Sequence, residues 1–322
     1  MIPNRILILL CLLSLTAQVI GQESDYGPGY QTIMLNNPAF AGSNGEGMMR
    51  LSYMNFYPGN NYNFHSIYFS YDSYFAAVHG GAGIYLADDY LGGVVNDIRG
   101  GISYSYFLQA DKNLFINAGL SASFYHRGFD FGKAILPDQI DPLGGISGIS
   151  AEMLANTGRT VFDIGAGVLF ISGKLLGGFS ITHLAEPDLS DNGSANERLK
   201  RKYMVHLAGD FDLDKRYHLK IRPLTVLELQ GAFLSAGAGA VIESKFISGN
   251  IVLLFNNNKN MNVQTGFSFK TGRIAVFYNY CFNIIQGNTF MPFSLLHQTG
   301  LAFSLNNVEK RIRVKTIKFP EM

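Results

Sequence analysis

Polar and apolar residues alternate with a period of two along most of the chain. This is the pattern of β-strands whose two faces meet different environments. In residues 115–125, one phase holds Leu120 and Phe124, whereas the other holds Asn117 and Ser121. One face is therefore apolar and the other is small and polar, which favours a sheet with lipid on one side and a packed or wet interior on the other.

About fourteen such segments follow one another, which is the pattern of a membrane-spanning β-barrel. The predicted strands are residues 48–54, 64–71, 80–87, 98–108, 113–126, 161–171, 174–183, 202–212, 217–230, 236–247, 249–256, 260–269, 273–284 and 297–306. An even number of strands returns the C-terminus to the side from which the N-terminus leaves. The sequence therefore predicts an all-β protein, a single antiparallel transmembrane β-barrel of the outer membrane.

The connections between the predicted strands alternate in length. The short ones are residues 109–112, 172–173, 213–216, 248 and 270–272, and the long ones are residues 127–160, 184–201 and 285–296. Bacterial barrels have short periplasmic turns and longer outer loops, so both termini are predicted to be periplasmic. Residues 72–79 and 257–259 are exceptions to the alternation.

The first residues are typical of a secretory signal peptide. Arg5 is the positive region, residues 6–15 are the apolar region, and cleavage is expected after Gly21. The predicted division is a signal peptide at 1–21, a periplasmic entry segment at 22–47, the barrel at 48–306 and a basic periplasmic tail at 307–322.

Composition supports an exported barrel. Charged residues are 15 % of the chain, against roughly 25 % in an average soluble protein. A soluble chain this poor in charge would struggle to cover its surface, whereas a lipid-facing chain would not. The mature chain keeps a single cysteine, Cys281, so no internal disulfide is possible. The even balance of acids and bases does not suggest a nucleic-acid partner.

No pattern for catalysis, for a cofactor or for a metal is found, so we predict a protein that is not an enzyme and has no such site. The seven histidines are scattered without metal-ligand spacing. Asp88 and Asp89 are expected in a solvated outer loop. Ser180 and His183 are three apart in one predicted strand, so they are expected to point to opposite faces.

The predicted inner face carries few charges. Lys220, Arg222 and Glu228 share one inward phase and differ in sign. A passive channel for small solutes would be expected to have a wide lumen lined by charge, and ion selectivity would require rings of a single sign. Neither is evident from the sequence.

Two segments are candidate surfaces for partners. Asn37, Pro38, Ala39 and Gly42 lie just before the first strand, where Pro38 suits a strand start and Gly42 allows close backbone approach. This segment is either a plain turn at the periplasmic rim or a plug at the rim that faces partners.

The tail has the same ambiguity. Its bases, among them Arg311, Arg313, Lys315 and Lys318, alternate with apolar residues. The tail is either a solvated end or extra edge strand, or a segment that docks on a periplasmic partner by strand addition.

Six short motifs together resemble the PorP/SprF family of type IX secretion system membrane proteins, over about residues 26–305. They are residues 37–42, 70–72 with 80–83, 89–92, the loop motif at 135–142, residues 162–168 and residues 178–184. The loop motif contains Leu136, Pro137, Asp138, Gln139, Asp141 and Pro142. Each motif is weak alone, whereas six in the same order are specific.

The resemblance implies an outer-membrane barrel of the secretion and gliding-motility machinery of Bacteroidetes-type bacteria. It implies contact with outer-membrane lipid, with periplasmic ring proteins of the PorK/PorN type, with a peptidoglycan-binding PorE-type protein, and with secreted cargo or an adhesin. Two roles stay open: a core component that links the outer membrane to these partners, or an accessory barrel for one secreted adhesin.

Overall fold

The computed structural model describes residues 32–56, 64–141, 145–146, 150, 157–190, 198–214, 216–285 and 295–305. Fourteen long strands form one sheet. They are β1 Met48–Phe56, β2 Phe64–Phe75, β3 Gly80–Leu91, β4 Val95–Gln109, β5 Leu114–Phe129, β6 Thr157–Ser172, β7 Leu175–Thr182, β8 Lys202–Gly209 with its continuation Phe211–Asp214, β9 Leu219–Gln230, β10 Phe233–Glu243, β11 Ile247–Asn256, β12 Met261–Thr271, β13 Ile274–Ile285 and β14 Leu295–Ser304. All fourteen predicted strands are confirmed.

The sheet closes into a barrel. Each strand pairs antiparallel with the next along the chain, and β1 pairs with β14, where Met48 lies opposite Ser304 and Phe56 opposite Leu296. Closure gives each of the fourteen long strands a neighbour on both sides, which suits a sheet in hydrocarbon because lipid offers no hydrogen bonds.

The barrel is apolar outside and polar inside. Leu120 and Phe162 are each 66 % exposed on the outer face. Ser105, Asn117 and Asp163 on the inner face are all at most 4 % exposed. The predicted alternation of residues 115–125 is therefore confirmed, with the apolar phase outward.

The two ends of the barrel differ in their connections. The connections at one end, here called the short-turn end, are residues 76–79, 110–113, 173–174, 215–218, 244–246 and 272–273. The other end, here called the long-loop end, has connections 57–63, 130–156, 183–201 and 286–294 together with the short turns 92–94, 231–232 and 257–260. The predicted exception at 72–79 disappears, because β2 runs on to Phe75.

The predicted turn at Ser248 is wrong. The turn lies at 244–246, where the Ser244 N–H donates to the Ile247 carbonyl at 2.8 Å. Ser248 is a buried strand residue whose hydroxyl lies 2.6 Å from that of Ser268. The exposed Ile247 continues the outward apolar phase of β11, which explains why the strand begins earlier than predicted.

Asp88 and Asp89 do not lie in a solvated loop, as predicted, but in β3. Asp89 is 1 % exposed and forms an ion pair with Arg99 across the hairpin at 2.5 Å. This ion pair allows the carboxylate to lie inside the barrel, where an unpaired charge would be costly.

Two predicted segments fall outside the described residues: the signal peptide at 1–21 and the tail at 307–322. In the part of the chain that the structure describes, no helix has the length and apolar character needed to cross a membrane.

The outward face gives a first test. Leu120→Arg places a charge where we expect hydrocarbon, and charges there cost about 2–4 kcal/mol near the bilayer midplane. We expect a loss of this order in the free energy of unfolding, measured by urea titration in lipid bilayers. Thr271→Arg, at an exposed strand end, is the control and should cost far less. Equal costs would contradict the assignment of the outer face.

Candidate functional site in the barrel lumen

The part of the chain that the structure describes before β1, residues 32–47, lies inside the barrel. It forms a short helix, α1 Ile33–Asn36, and a 3₁₀-helix Pro38–Phe40. Asn37, Ala39 and Ala41 are each 0 % exposed. We call residues 32–47 the lumenal segment. Its Asn37 reaches Val168, four residues from the short-turn end of β6 and so about 13 Å along the strand. The predicted position at the rim is therefore wrong.

The wall beneath the lumenal segment is a row of small residues across five strands. Gly81 of β3 pairs with Ser105 of β4, Ser105 with Gly119 of β5, Gly119 with Gly167 of β6, and Gly167 with Ser180 of β7. We call these five residues the small-residue row. They share the inward phase, so together they form a shallow groove across the strands.

The groove is required because backbone lies directly against backbone. A Cβ atom at Gly119 would lie 2.2 Å from the Ala39 nitrogen, and one at Gly81 would lie 2.0 Å from the Ala41 oxygen. At Gly167 it would lie 2.1 Å from the Asn37 Oδ1 atom. Real Cβ contacts are never this short, so these three positions must be glycine for the segment to lie where it does.

Polar groups of the segment are satisfied by the wall. The Asn37 Nδ2 group lies 3.4 Å from the Val168 and Phe179 carbonyls, and its Oδ1 atom accepts from the Ala39 N–H at 2.9 Å. Hydroxyls of the small-residue row bind the backbone. Ser105 donates to the Ala39 carbonyl at 2.9 Å, and Ser180 donates to the Asn36 carbonyl at 2.5 Å.

One buried ion pair anchors the segment where it turns into β1. Gly42 has φ +67°, and its N–H donates to an Asp72 carboxylate oxygen at 2.8 Å. The other Asp72 oxygen pairs with Arg50 of β1 at 2.5 Å. Asp72 is 0 % exposed. A single carboxylate therefore joins the segment, β1 and β2.

Apolar packing completes the contact. Ile33 and Phe40 join a cluster with residues of β5, β6 and β7, namely Phe115, Leu169, Ile171 and Leu176. The Phe40 ring stacks on His206 of β8, with centroids 5.1 Å apart. Leu35 packs against a second cluster that includes Met54 and Tyr68. The segment therefore contacts much of the inner wall and fills the lumen between its two ends.

Charges in the lumen are paired with opposite charges. Besides Arg50 with Asp72 and Arg99 with Asp89, the pairs are Arg127–Asp97 at 2.7 Å, Lys202–Glu228 at 2.8 Å and Arg222–Glu243. Lys220, Arg222 and Glu228 do face inward, as predicted. Within the described residues no ring of a single sign is formed, and the pairs tie neighbouring strands together.

The prediction that Ser180 and His183 face opposite sides is wrong, although they do not bind each other. His183 follows β7 with φ 57°, which turns its side chain inward, where its Nδ1 atom lies 2.8 Å from Asp163. No feature of the sequence indicates this buried Asp–His pair, which lines a small cavity with Ser123 and Lys202. Among the described residues no three His, Cys, Asp or Glu side chains could hold a metal.

The loop motif lies at the long-loop end. Pro137–Gln139 is a 3₁₀-helix, and the Leu136 N–H donates to the Gln139 side-chain oxygen at 2.9 Å. Asp138 accepts from the Ser150 hydroxyl at 2.8 Å. Asp141 belongs to a two-residue strand, and Pro142 falls outside the described residues. The motif thus folds on itself, while its own Ile135 and Ile140 are 56 % and 54 % exposed.

The predicted partner residues divide into two groups. Asn37, Pro38, Ala39 and Gly42 are all buried against the wall, so their side chains do not face the periplasm in this structure. Arg311, Arg313, Lys315 and Lys318 lie outside the described residues. A role in partner binding stays a prediction for both groups.

A closed barrel with an apolar exterior and a polar, filled interior defines an integral β-barrel protein of the outer membrane. The profile of the type IX secretion system membrane protein PorP/SprF family matches residues 20–292, and the chain belongs to that family. No curated protein sequence matches the chain.

Solved outer-membrane barrels are similar in fold. The TodX deltaS2S3 mutant monoaromatic hydrocarbon channel has a TM-score of 0.50 at 10 % identity, covering 89 % of this chain and 96 % of that one. The Acinetobacter baumannii outer membrane protein Omp33 has a TM-score of 0.46 at 8 % identity, covering 80 % and 97 %. At these identities the likeness concerns the fold alone.

The small-residue row predicts how the lumen can be opened. Gly119→Ala and Gly167→Ala each place a methyl group inside the contact with the lumenal segment, so we expect the segment to leave the groove. Ion conductance in planar bilayers should rise above that of the wild type. The control is Gly249→Ala, whose nearest atom beyond its neighbours is 3.8 Å away. Wild-type conductance and thermal stability in both variants would refute the contact.

We predict that Asp72 and Arg50 contribute to the free energy of unfolding as a coupled pair. Asp72→Asn removes the charge that compensates Arg50, and breaking one side of a buried pair costs about 3–5 kcal/mol. The double variant Arg50→Met/Asp72→Asn should cost less than the sum of the two single changes. Urea unfolding of the four proteins measures the coupling. If the loss in the double variant equals the sum of the losses in the two single variants, Asp72 and Arg50 do not act as a unit.

Proposed function

We propose that the chain is a non-enzymatic component of the type IX secretion system that links the outer membrane to periplasmic ring and peptidoglycan-associated partners and supports secretion or surface attachment of cargo. The observation that carries the proposal is the filled lumen. Residues 32–47 and the paired charges occupy the space that a solute channel would keep open. The barrel is therefore better suited to a structural role in the membrane than to the conduction of solutes.

The short-turn end supports a periplasmic attachment. In bacterial barrels this is the periplasmic side. The last described residue, Leu305, donates its N–H to the Gly47 carbonyl at 2.8 Å, where the lumenal segment leads into β1. The basic tail follows Leu305 in the sequence. In this proposal the tail docks on the ring partner, and the lumenal segment keeps the barrel rigid beneath it.

A second role, as the accessory barrel of one secreted adhesin, is favoured by the long-loop end. Ile135 and Ile140 belong to the loop motif and are exposed, although they do not belong to the lipid-facing strands. An apolar pair on an outer loop suits a contact with an extracellular segment of cargo.

The two roles separate in one experiment in the native host. Deletion of residues 307–322 should leave the barrel in the outer membrane but abolish co-purification with ring proteins and reduce secretion of type IX cargo generally. The matched variant Arg311→Gln/Arg313→Gln/Lys315→Gln/Lys318→Gln should show the same loss, because charge is removed and length is kept.

The loop variant Ile135→Ser/Ile140→Ser serves as the comparison. It should retain ring association if the linking role is correct. Unchanged ring association and secretion in both tail variants would contradict the linking role. Loss of a single surface adhesin in the loop variant, with normal secretion otherwise, would favour the accessory role.

A further inference from the structure

Three successive turns at the short-turn end each place a base beside an aromatic ring. Lys174 Nζ lies 6.0 Å from the centre of the Phe211 ring, and Arg216 Cζ lies 5.7 Å from that of Tyr217. Lys245 Nζ lies 5.1 Å from the centre of the Phe246 ring. The turns join β6 to β7, β8 to β9 and β10 to β11, so the pairs follow one another around the barrel. We call these three pairs the basic arc.

The rings of the basic arc are exposed at the short-turn end, and Phe246 also lines the cavity that contains Arg273. Tyr217 is 65 % exposed, Phe246 53 % and Phe211 38 %. The adjacent apolar side chains Leu213 and Ile247, 56 % and 59 % exposed, continue the outer face. Aromatic rings at the edge of an apolar belt mark the level where hydrocarbon meets headgroups. The bases are therefore held at headgroup level.

The remaining short turns lack this arrangement. Residues 76–79 contain no Lys or Arg, and Lys112 follows an acid, Asp111. Arg273 lines a cavity inside the barrel, where Glu46 also lies. Among the described short turns, the pairs of a base with an aromatic ring are thus confined to three neighbouring hairpins on one side of the barrel.

Nearby acids do not neutralise the arc. Asp214 accepts from the backbone N–H of Arg216 at 2.7 Å and so closes the turn. In the part of the chain that the structure describes, neither Arg216 nor Lys245 forms an ion pair with a carboxylate. Lys174 has one long contact, 3.4 Å to an Asp212 oxygen, and both side chains are exposed to solvent. Such exposed pairs contribute little.

We propose that the basic arc binds the phosphate headgroups of anionic phospholipids in the periplasmic leaflet. Ammonium and guanidinium groups are the usual partners of phosphate oxygens. The rings enter the acyl boundary below each base, so a lipid satisfies both parts of each pair, which a soluble phosphate cannot do. Electrostatic attraction to an anionic surface falls off within a Debye length, so this lipid binding should weaken at high salt. The proposal does not depend on the secretion partners.

The test uses the purified full-length chain in uncharged detergent, with added phosphatidylglycerol or phosphatidylcholine of identical acyl chains. The readout is the thermal unfolding midpoint. We expect phosphatidylglycerol to raise the midpoint more than phosphatidylcholine does, and high salt to reduce the difference. Lys174→Gln/Lys245→Gln should lose most of this preference, and adding Arg216→Gln should abolish it. Glycerol phosphate at the same concentration should have no effect.

The matched control is Lys112→Gln/Lys259→Gln, which removes the same charge from a short turn outside the arc and from the long-loop end. It should keep the wild-type preference. Equal stabilisation by the two lipids would overturn the proposal, as would a preference that survives in the triple variant. Equal loss in the control would assign the effect to net charge, and stabilisation by glycerol phosphate would assign it to phosphate alone. Either result would also refute lipid binding by the arc.

Discussion

The filled lumen depends on one contact, in which residues 37–42 lie directly against glycines of the inner wall, through backbone at Gly81 and Gly119 and through the Asn37 side chain at Gly167. Gly81, Gly119 and Gly167 leave the necessary space, and Ser105 and Ser180 supply hydroxyls to the backbone carbonyls of the segment. Any Cβ at the three glycines would overlap atoms of the segment. Everything else in the lumen, from the Phe40 cluster to the Asp72 pair, is arranged around this approach.

The contact explains the Asn-Pro-Ala-Phe-Ala-Gly motif in physical terms. Asn37 caps the 3₁₀-helix through its own side chain, since Oδ1 accepts from the Ala39 N–H, while Nδ2 faces the wall. Pro38 begins that helix, where its missing N–H costs nothing. Ala39 and Ala41 are small enough for the groove. Gly42 adopts the left-handed turn that delivers its N–H to Asp72.

The strands could be predicted because each residue of a barrel wall faces either lipid or lumen, so polarity alternates with a period of two. Leu120 and Asn117 obey this rule. The lumenal segment could not be placed in the same way, because its partners lie on five different strands far along the chain. The sequence does contain one indication of the groove. Gly81, Gly119 and Gly167 fall in the inward, polar phase of their strands, where small residues can leave space for another segment.

Other errors have local causes. Ser248 was predicted as a turn because two apolar segments meet near it, whereas Lys245 and Phe246 form the turn. His183 was placed by strand alternation, but its left-handed backbone lies beyond the strand. Asp89 follows the predicted end of a strand at residue 87 and is therefore expected in a loop, whereas its ion pair with Arg99 across the hairpin keeps it in β3. In each case the observed position of the residue is set by a contact between distant residues or by a single backbone angle.

A direct measurement of the lumenal contact is maleimide labelling of a single cysteine at position 39 in the mature chain, which lacks the Cys11 of the predicted signal peptide. The variant Ala39→Cys/Cys281→Ala is compared with Ala77→Cys/Cys281→Ala, since Ala77 lies in an exposed turn. The account predicts protection at position 39 and rapid labelling at position 77 in the folded protein, with equal labelling after denaturation. Equal labelling in the folded protein would contradict a lumen closed by this segment.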